Sequence, residues 1–275
     1  MPSVDDRTPY LYTAIGAARE AARIQLAHLG SELDVDTKSS DVDIVTQVDR
    51  LCEARIREVL RSEFPDHAVL GEEQGEEQGE DGGHADGGRH RWIVDPLDGT
   101  VNYAHGFPFF CVSIALEVDG RVEVGVVLDG WADELFTAVA GQGATLNGRP
   151  LRVSRETVPK RALLGTGFAY VDDTIHRNLE VFARMLPKVQ SIRRPGAAAL
   201  DLCSVAAGRL DGFWELGLNA WDVAAGNLIV QEAGGTVTAA DGSPYRLGED
   251  TLVASNGHLH GKLLSMLDLG SAVAG

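Results

Sequence analysis

The sequence predicts an α/β protein with an α+β N-terminal half and an α/β C-terminal half, and three observations carry that prediction. Apolar residues recur at helical spacing over the first 64 residues, short apolar runs broken by turn residues follow from Trp92 to Leu146, and strands alternate with helices after about residue 155. The halves fall at 1–155 and 156–275, and they are expected to stack as alternating layers of helix and sheet. A chain of 275 residues, 44% apolar and 24% charged, can bury such a core without disulfides or a structural metal.

The first helix is read over residues 9–29. Pro9 lies near its start, Leu11, Ile15, Ala18, Ala22 and Leu26 form its apolar face, and Gly30 ends it. A second helix runs from about Thr46 to Phe64, with Val48, Leu51, Cys52, Ile56, Val59 and Leu60 on one side and Pro65 as its stop. Residues 74–90 contain a single apolar side chain, Ala85, and read as a solvated acidic loop that includes His84 and His90. Strands are then expected at Trp92–Val94, Cys111–Val118, Val122–Leu128 after the Asp119-Gly120 turn, Glu134–Ala138 and Ala144–Leu146, closed by Asn147-Gly148. The first half therefore reads as two helices covering an antiparallel meander.

In the second half the order is strand Ala162–Gly165, helix Thr174–Leu186, strand Val189–Arg193 and helix Ala197–Ala207. Strand Gly212–Glu215, helix Ala220–Glu232, strand Leu252–Ala254 and a terminal helix complete it. His258 and His260 read as solvated turn residues, and Asp211 as a brace on a strand.

With 41 acidic and 24 basic residues, the formal charge of -17 disfavours nucleic acid and anionic membrane surfaces as partners. An anionic substrate would need something positive to receive it, and bound divalent cations would serve. Cys52, Cys111 and Cys203 are scattered without CxxC spacing, as in a protein of a reducing cytoplasm. No basic and apolar leader and no run of ~18 apolar residues appears, so a soluble, cytoplasmic protein is expected.

The densest chemical signal is Asp95-Pro96-Leu97-Asp98-Gly99-Thr100. Pro96 fixes one φ angle and Gly99 permits close backbone approach, so two carboxylates are held at a tight turn, ahead of a helix start whose N–H groups suit a phosphate oxygen. Hard cations such as Mg²⁺ take oxygen ligands in this way, although a capped turn uses the same residue types. Glu72 and Glu73 leave the apolar run Ala68-Val69-Leu70; Glu72 is the better ligand candidate, and Glu73 reads equally as a solvated loop edge. Asp222 opens a helix of small residues, where a carboxylate is also a favourable N-terminal charge. Asp43 and Asp49 have the same two readings at the second helix, and Lys38 would ordinarily be a surface residue.

Taken together, Asp43-Ile44-Val45-Thr46 with Asp49, Leu70-Gly71-Glu72-Glu73, Asp95 through Tyr103, Gly165-Thr166-Gly167-Phe168, and Gly208 on to Gly226 resemble the inositol monophosphatase family of Mg²⁺-dependent, lithium-sensitive phosphatases. The resemblance implies a layered αβαβα sandwich of the sugar-phosphatase type and a homodimer. It implies two to three Mg²⁺ per subunit, with Mn²⁺ as a substitute and Li⁺ as an inhibitor. Glu72, Asp95 and the Leu97 carbonyl would hold one ion, Asp95, Asp98 and Asp222 a second, and Glu72 a weaker third. Glu72 and Thr100 would place the attacking water, with Asp49 orienting the Thr100 hydroxyl and Lys38 supporting charge from a loop over the phosphate. Asp98, Gly99, Thr100, Gly196, Ala197, Ala198, Glu215 and Asp222 would contact substrate. Ala197 stands where a hydroxyl residue is common and Pro195 precedes the glycine, which departs from the family pattern.

The implied reaction is in-line hydrolysis of a small phosphomonoester, inositol 1-phosphate first, without a covalent phosphoenzyme. Thr100-Val101-Asn102-Tyr103 favours that branch over relatives acting on 3′-phosphoadenosine phosphates. The same mechanism on fructose 1,6-bisphosphate, histidinol phosphate or a nucleotide 2′- or 3′-phosphate is the alternative, and a regulatory binding protein that keeps the fold is the alternative class.

Overall fold

The computed structural model describes residues 7–38, 43–79, 90–170 and 172–269, and these form five layers. The outer layer holds α1 (Thr8–His28) and α2 (Gln47–Glu63), joined through a two-stranded ribbon of β1 (Val35–Thr37) and β2 (Ile44–Thr46). Ala14, Ala17, Ala18, Ala21 and Ala22 make the buried face of α1, and their small size lets the helix lie close to the sheet below. On α2, Val48, Cys52, Ile56 and Leu60 are fully buried at spacing four. Leu26 and Leu51, expected on the apolar faces, are 42% and 47% exposed, so each apolar stripe is narrower than the sequence suggests.

Beneath them lies a sheet of eight strands: β3 (Ala68–Gly71), β4 (Gly75–Glu77), β5 (His90–Asp98), β6 (Cys111–Val118), β7 (Arg121–Asp129), β8 (Glu134–Val139), β9 (Ala144–Leu146) and β10 (Arg149–Pro150). The spatial order is β10-β9-β8-β7-β6-β5-β3-β4. From β5 to β10 it is the expected antiparallel meander, but β3 runs parallel to β5. A short helix, α3 (Thr100–Ala104), follows β5.

The acidic segment also departs from expectation. Gly75–Glu77 is a strand paired with β3, held by backbone bonds that take no account of side-chain polarity. His90 is buried at the start of β5, stacked on His67 with ring centroids 4.5 Å apart. His84 and the rest of that segment, residues 80–89, lie outside the described residues.

The middle layer is α5 (Ala198–Ala206) and α6 (Ala220–Glu232). Residues 223–230 of α6 are all buried, because the helix has a sheet on either side of it. The second sheet contains β11 (Leu163–Thr166), β12 (Ser191–Arg193), β13 (Gly212–Leu216), β14 (Thr236–Thr238) and β15 (Thr251–Ser255), in the order β12-β11-β13-β15-β14. β11 is parallel to both neighbours, and β15 is antiparallel to both of its own. Two more helices, α4 (Asp172–Met185) and α7 (His260–Leu267), cover its far face.

This is the αβαβα sandwich. Asp211 braces β11, accepting from the Leu163 N–H at 2.7 Å and from Ser154 Oγ at 2.6 Å. His260 is not solvated as expected: it is buried, 2.9 Å from both Ser255 Oγ and Thr238 Oγ1. Among the described residues no helix is long and apolar enough to cross a membrane.

Candidate active site

The site grows from an irregularity in β5. Asp95 pairs with Ser113 and Asp98 with Cys111, so two residues on β5 face a single residue on β6. In a regular strand, residues three apart point to opposite faces; this bulge brings Asp95 and Asp98 to the same side. Pro96, which has no N–H to give a ladder, sits in the bulge, and its carbonyl accepts from Gln25 Nε2 at 2.9 Å. The Leu97 N–H closes the turn onto Asp95 Oδ1 at 3.0 Å. Gly99 follows with φ +93°, and a Cβ there would lie 2.9 Å from the Phe109 carbonyl, so this left-handed position requires glycine.

Glu72 reaches the same place from β3, because β3 and β5 run parallel and the Glu72 N–H bonds the Val94 carbonyl at 3.2 Å. The turn that carries it is clamped from below. Glu53 on α2, fully buried, accepts from the N–H groups of Glu73 and Gln74 at 2.7 and 3.0 Å and from Arg57 Nε at 2.9 Å. Arg57 in turn donates to the Gly75 carbonyl at 2.6 Å. Sequence reasoning missed this pair; its signal was an acid and a base at spacing four on the otherwise apolar side of α2.

Asp49 and Asp222 are both third residues of capping boxes, accepting from the N–H groups of Thr46 at 2.9 Å and Asn219 at 2.7 Å. The helix-start reading therefore holds for each, and each also meets the site. Thr100 Oγ1 donates to Asp49 Oδ1 at 2.8 Å, with the Leu97 carbonyl 3.0 Å away. Asp98 Oδ2 accepts the Ala199 N–H at 2.7 Å, so the carboxylate caps α5 where Ala197, the N-cap residue, has no hydroxyl to do so. Asn102 Nδ2 ties the loop before α5 to α3, donating to the carbonyls of Pro195 at 2.9 Å and Phe109 at 2.7 Å.

Glu72, Asp95, Leu97, Asp98, Thr100 and Asp222 border one cavity of about 430 Å³, which also takes in Lys38, Gly196, Ala198 and Glu215. Among the expected site residues only Asp49 is absent from its lining; it lies behind Thr100. Tyr170, Arg194 and Trp221, which are not among the expected site residues, also line it.

The electrostatics are those of crowded anions. Burial pushes Glu72 up to about 7, against the attraction of Lys38 and with the charge of Asp222 adding to the shift. Burial likewise pushes Asp98 and Asp222 up to about 7, and Asp95 well above the ordinary carboxylate range, with Glu72, Asp98 and Asp222 all repelling it. Lys38 stands against this charge; its Nζ is 2.8 Å from Glu72 Oε1 and 2.5 Å from Glu73 Oε1. Glu73 is thus an ion-pair partner rather than a free loop edge.

A set of acceptor-only oxygens on rigid elements, short of positive charge, fits a hard divalent cation. Among the described residues no three side chains are already closed around one ion position. The donor chemistry, not a preformed cage, makes the fit.

Comparisons with known proteins show which family the chain belongs to. The profile of the inositol monophosphatase family matches residues 6–269. The chain is 46% identical to the Nus factor SuhB of Pseudomonas aeruginosa over 90% of its own length and 92% of the relative's. It is 42% identical to an inositol-1-monophosphatase of Synechocystis over 96% and 91%. Among solved structures, the extragenic suppressor protein SuhB of Bartonella henselae superposes with a TM-score of 0.89 at 40% identity, covering 96% of this chain and all of that one. The inositol monophosphatase of Anabaena gives 0.83 at 39%, covering 97% and 99%. With its fold, its acidic cavity and a profile match along nearly the whole chain, the protein belongs to the inositol monophosphatase family and is a phosphoric monoester hydrolase.

Proposed function

We propose that the chain hydrolyses a small polyol phosphomonoester, inositol 1-phosphate first among them, in a Mg²⁺-dependent reaction. The observation that carries this reading is a cavity lined by four crowded carboxylates together with Glu215 and the small residues Gly196, Ala197 and Ala198. The four carboxylates suit a phosphoryl group together with cations, and Glu215 offers an acceptor to hydroxyl groups.

Glu72, Asp95 and the Leu97 carbonyl would hold one ion, Asp95, Asp98 and Asp222 a second, and Glu72 a weaker third. Bound there, Mg²⁺ would neutralise the phosphoryl oxygens and acidify the attacking water. The chain's own groups do the positioning. Because Thr100 gives its hydroxyl proton to Asp49, its oxygen lone pairs are left to accept a hydrogen bond from a water molecule in the cavity. Glu72, which also lines the cavity, takes the proton that this water loses. The first turn of α3 lines the cavity and turns the positive end of its backbone dipoles toward an anion. Lys38 adds a positive charge at the rim near Glu72 and acts as no base, because it is ion-paired.

Several relatives carry the Nus factor name, which raises a binding role in transcription. The charge of -17 works against direct contact with RNA, and catalysis is the reading favoured by the cavity.

The test is phosphate release from inositol 1-phosphate, fructose 1,6-bisphosphate, histidinol phosphate and 3′-phosphoadenosine 5′-phosphate, with Mg²⁺ and again with chelator. Metal-dependent release led by inositol phosphate is expected. A different leading ester moves the substrate and keeps the site, whereas no release from any ester overturns the reading in favour of a binding protein.

A further inference from the structure

Gly167, just beyond β11, leaves space that the Glu215 carboxyl fills, and Gly165 in β11 packs against Leu210 and Phe213 with Asp201 at ordinary contact distance. A Cβ on Gly167 would lie 2.1 Å from Glu215 Oε2, and one on Gly165 would lie 3.6 Å from Asp201 Oδ1. Phe213, beside Gly165 in the ladder, and Glu215 are two apart on β13 and so share a face of the sheet. Asp201 descends on that face from α5, one turn beyond Ala198, which lines the cavity.

Asp201 is 1% exposed, and neither of its carboxyl oxygens meets a hydrogen-bond partner. Glu215 is 7% exposed and borders the cavity. Burial holds both acids well above the usual carboxylate range, and the charge that adds most to the shift of Asp201 is that of Glu215. Arg194, on the cavity rim, is the one cation that opposes either shift, and it does so weakly. Two acids in so dry a place do not both ionise; one keeps a proton, and that proton needs an acceptor. Asp201 is the more enclosed, and the acid that bears on it most is Glu215, which borders the cavity.

We propose that Asp201 is a positioning residue for the polyol end of the substrate: protonated, it donates toward Glu215 across one ordered water and fixes the ionised Glu215 carboxylate as the acceptor of substrate hydroxyls. No bond to phosphorus is made or broken by either acid, and the proton stays on Asp201 throughout. This rests on the phosphatase reading above and adds to it a determinant of substrate choice. It also gives the Gly165-Thr166-Gly167 segment a purpose, since a side chain at Gly167 would expel the Glu215 carboxyl.

The experiment compares the unaltered protein with Asp201→Leu and Asp201→Asn on inositol 1-phosphate and on p-nitrophenyl phosphate, which has no hydroxyl groups to recognise. Asp201→Leu should raise KM for inositol phosphate about tenfold with kcat within about twofold, and leave KM for the nitrophenyl ester unchanged. Asp201→Asn keeps an N–H donor and should stay within about twofold of the unaltered protein on both. If the leucine variant fails to fold, Asp201→Ala, which adds no bulk, should show the same split. An equal change on both esters, an unchanged inositol phosphate KM in a folded Leu or Ala variant, or an Asn variant as impaired as these overturns the proposal. Absence of release from either ester by the unaltered protein overturns the phosphatase reading itself, and this proposal with it.

Discussion

Glu53 and Asp201 are both acids buried on helices, one in the outer layer and one in the middle layer, and the fold treats them in opposite ways. Glu53 has Arg57 and two backbone N–H groups on its carboxylate, while Asp201 has no partner for either oxygen. A buried charge with all its bonds made is scaffold: it holds the turn that brings Glu72 to the cavity. The acids at the cavity, Asp95 and Glu215 on its lining and Asp201 behind them, are instead buried with too little opposing charge to hold them all ionised. The contrast separates residues that support the site from residues that meet a ligand, and it can be tested from both sides.

The largest effect is expected on the incomplete side. Asp95→Asn removes the charge on which Glu72, Asp98 and Asp222 all bear, and turnover should fall about 10³-fold or more, since a group shared by two ions would be lost. Stability in metal-free buffer should hold or rise, because the repulsion goes with the charge. Steady-state rates and a melting curve with chelator check the two halves of this statement. A variant that kept a near-normal rate would place the chemistry elsewhere.

On the completed side the order reverses. Arg57→Leu leaves Glu53 buried without its cation and should cost about 3–5 kcal/mol in urea unfolding. Activity should fall only insofar as the Glu72 turn loosens. Little loss of stability, together with a large loss of rate, would make Arg57 part of the chemistry and break the contrast.

The sequence showed some of this contrast and hid the rest. The motifs around Asp95, Glu72 and Asp222 were legible because carboxylates beside Pro and Gly on short segments have few uses, and α6 lies at Ala220–Glu232 as periodicity and small residues suggested. The bulge that turns Asp95 and Asp98 the same way was not legible, because it exists only in the register with β6. β4 escaped notice because Gly75-Glu76-Glu77 has no apolar side chain and its place depends on backbone pairing with β3. Glu53, Arg57 and Asp201 were passed over for one reason: on a buried helix a lone charge has the spacing of the core, and only its neighbours in space show whether it is satisfied. His260 looked like a turn residue beside Gly257, yet it starts α7 and is buried between Ser255 and Thr238.

The smallest expected effect lies with a group that avoids charge altogether. His67 is 4% exposed, stacked between Phe64 and His90, with Nδ1 lacking a partner. Burial first, and then the nearby His90, pull it down to about 4. An unfolded histidine titrates near 6.5, so between about pH 6.5 and 4 the unfolded chain binds a proton that folded His67 refuses. Stability from this residue is therefore present above the unfolded value, falls as pH drops through that window, and levels off once the folded ring protonates as well. The cavity acids have raised values and act with the opposite sign in metal-free protein, losing stability as pH rises, so the raw profile mixes the two. The difference between the unaltered protein and His67→Phe isolates the histidine. Urea midpoints taken from pH 7 to pH 4 should converge on the acid side, with the phenylalanine variant losing less. Parallel profiles would mean that His67 is charged in the folded protein, and that this aromatic cluster is a second place where a buried charge has found its partners.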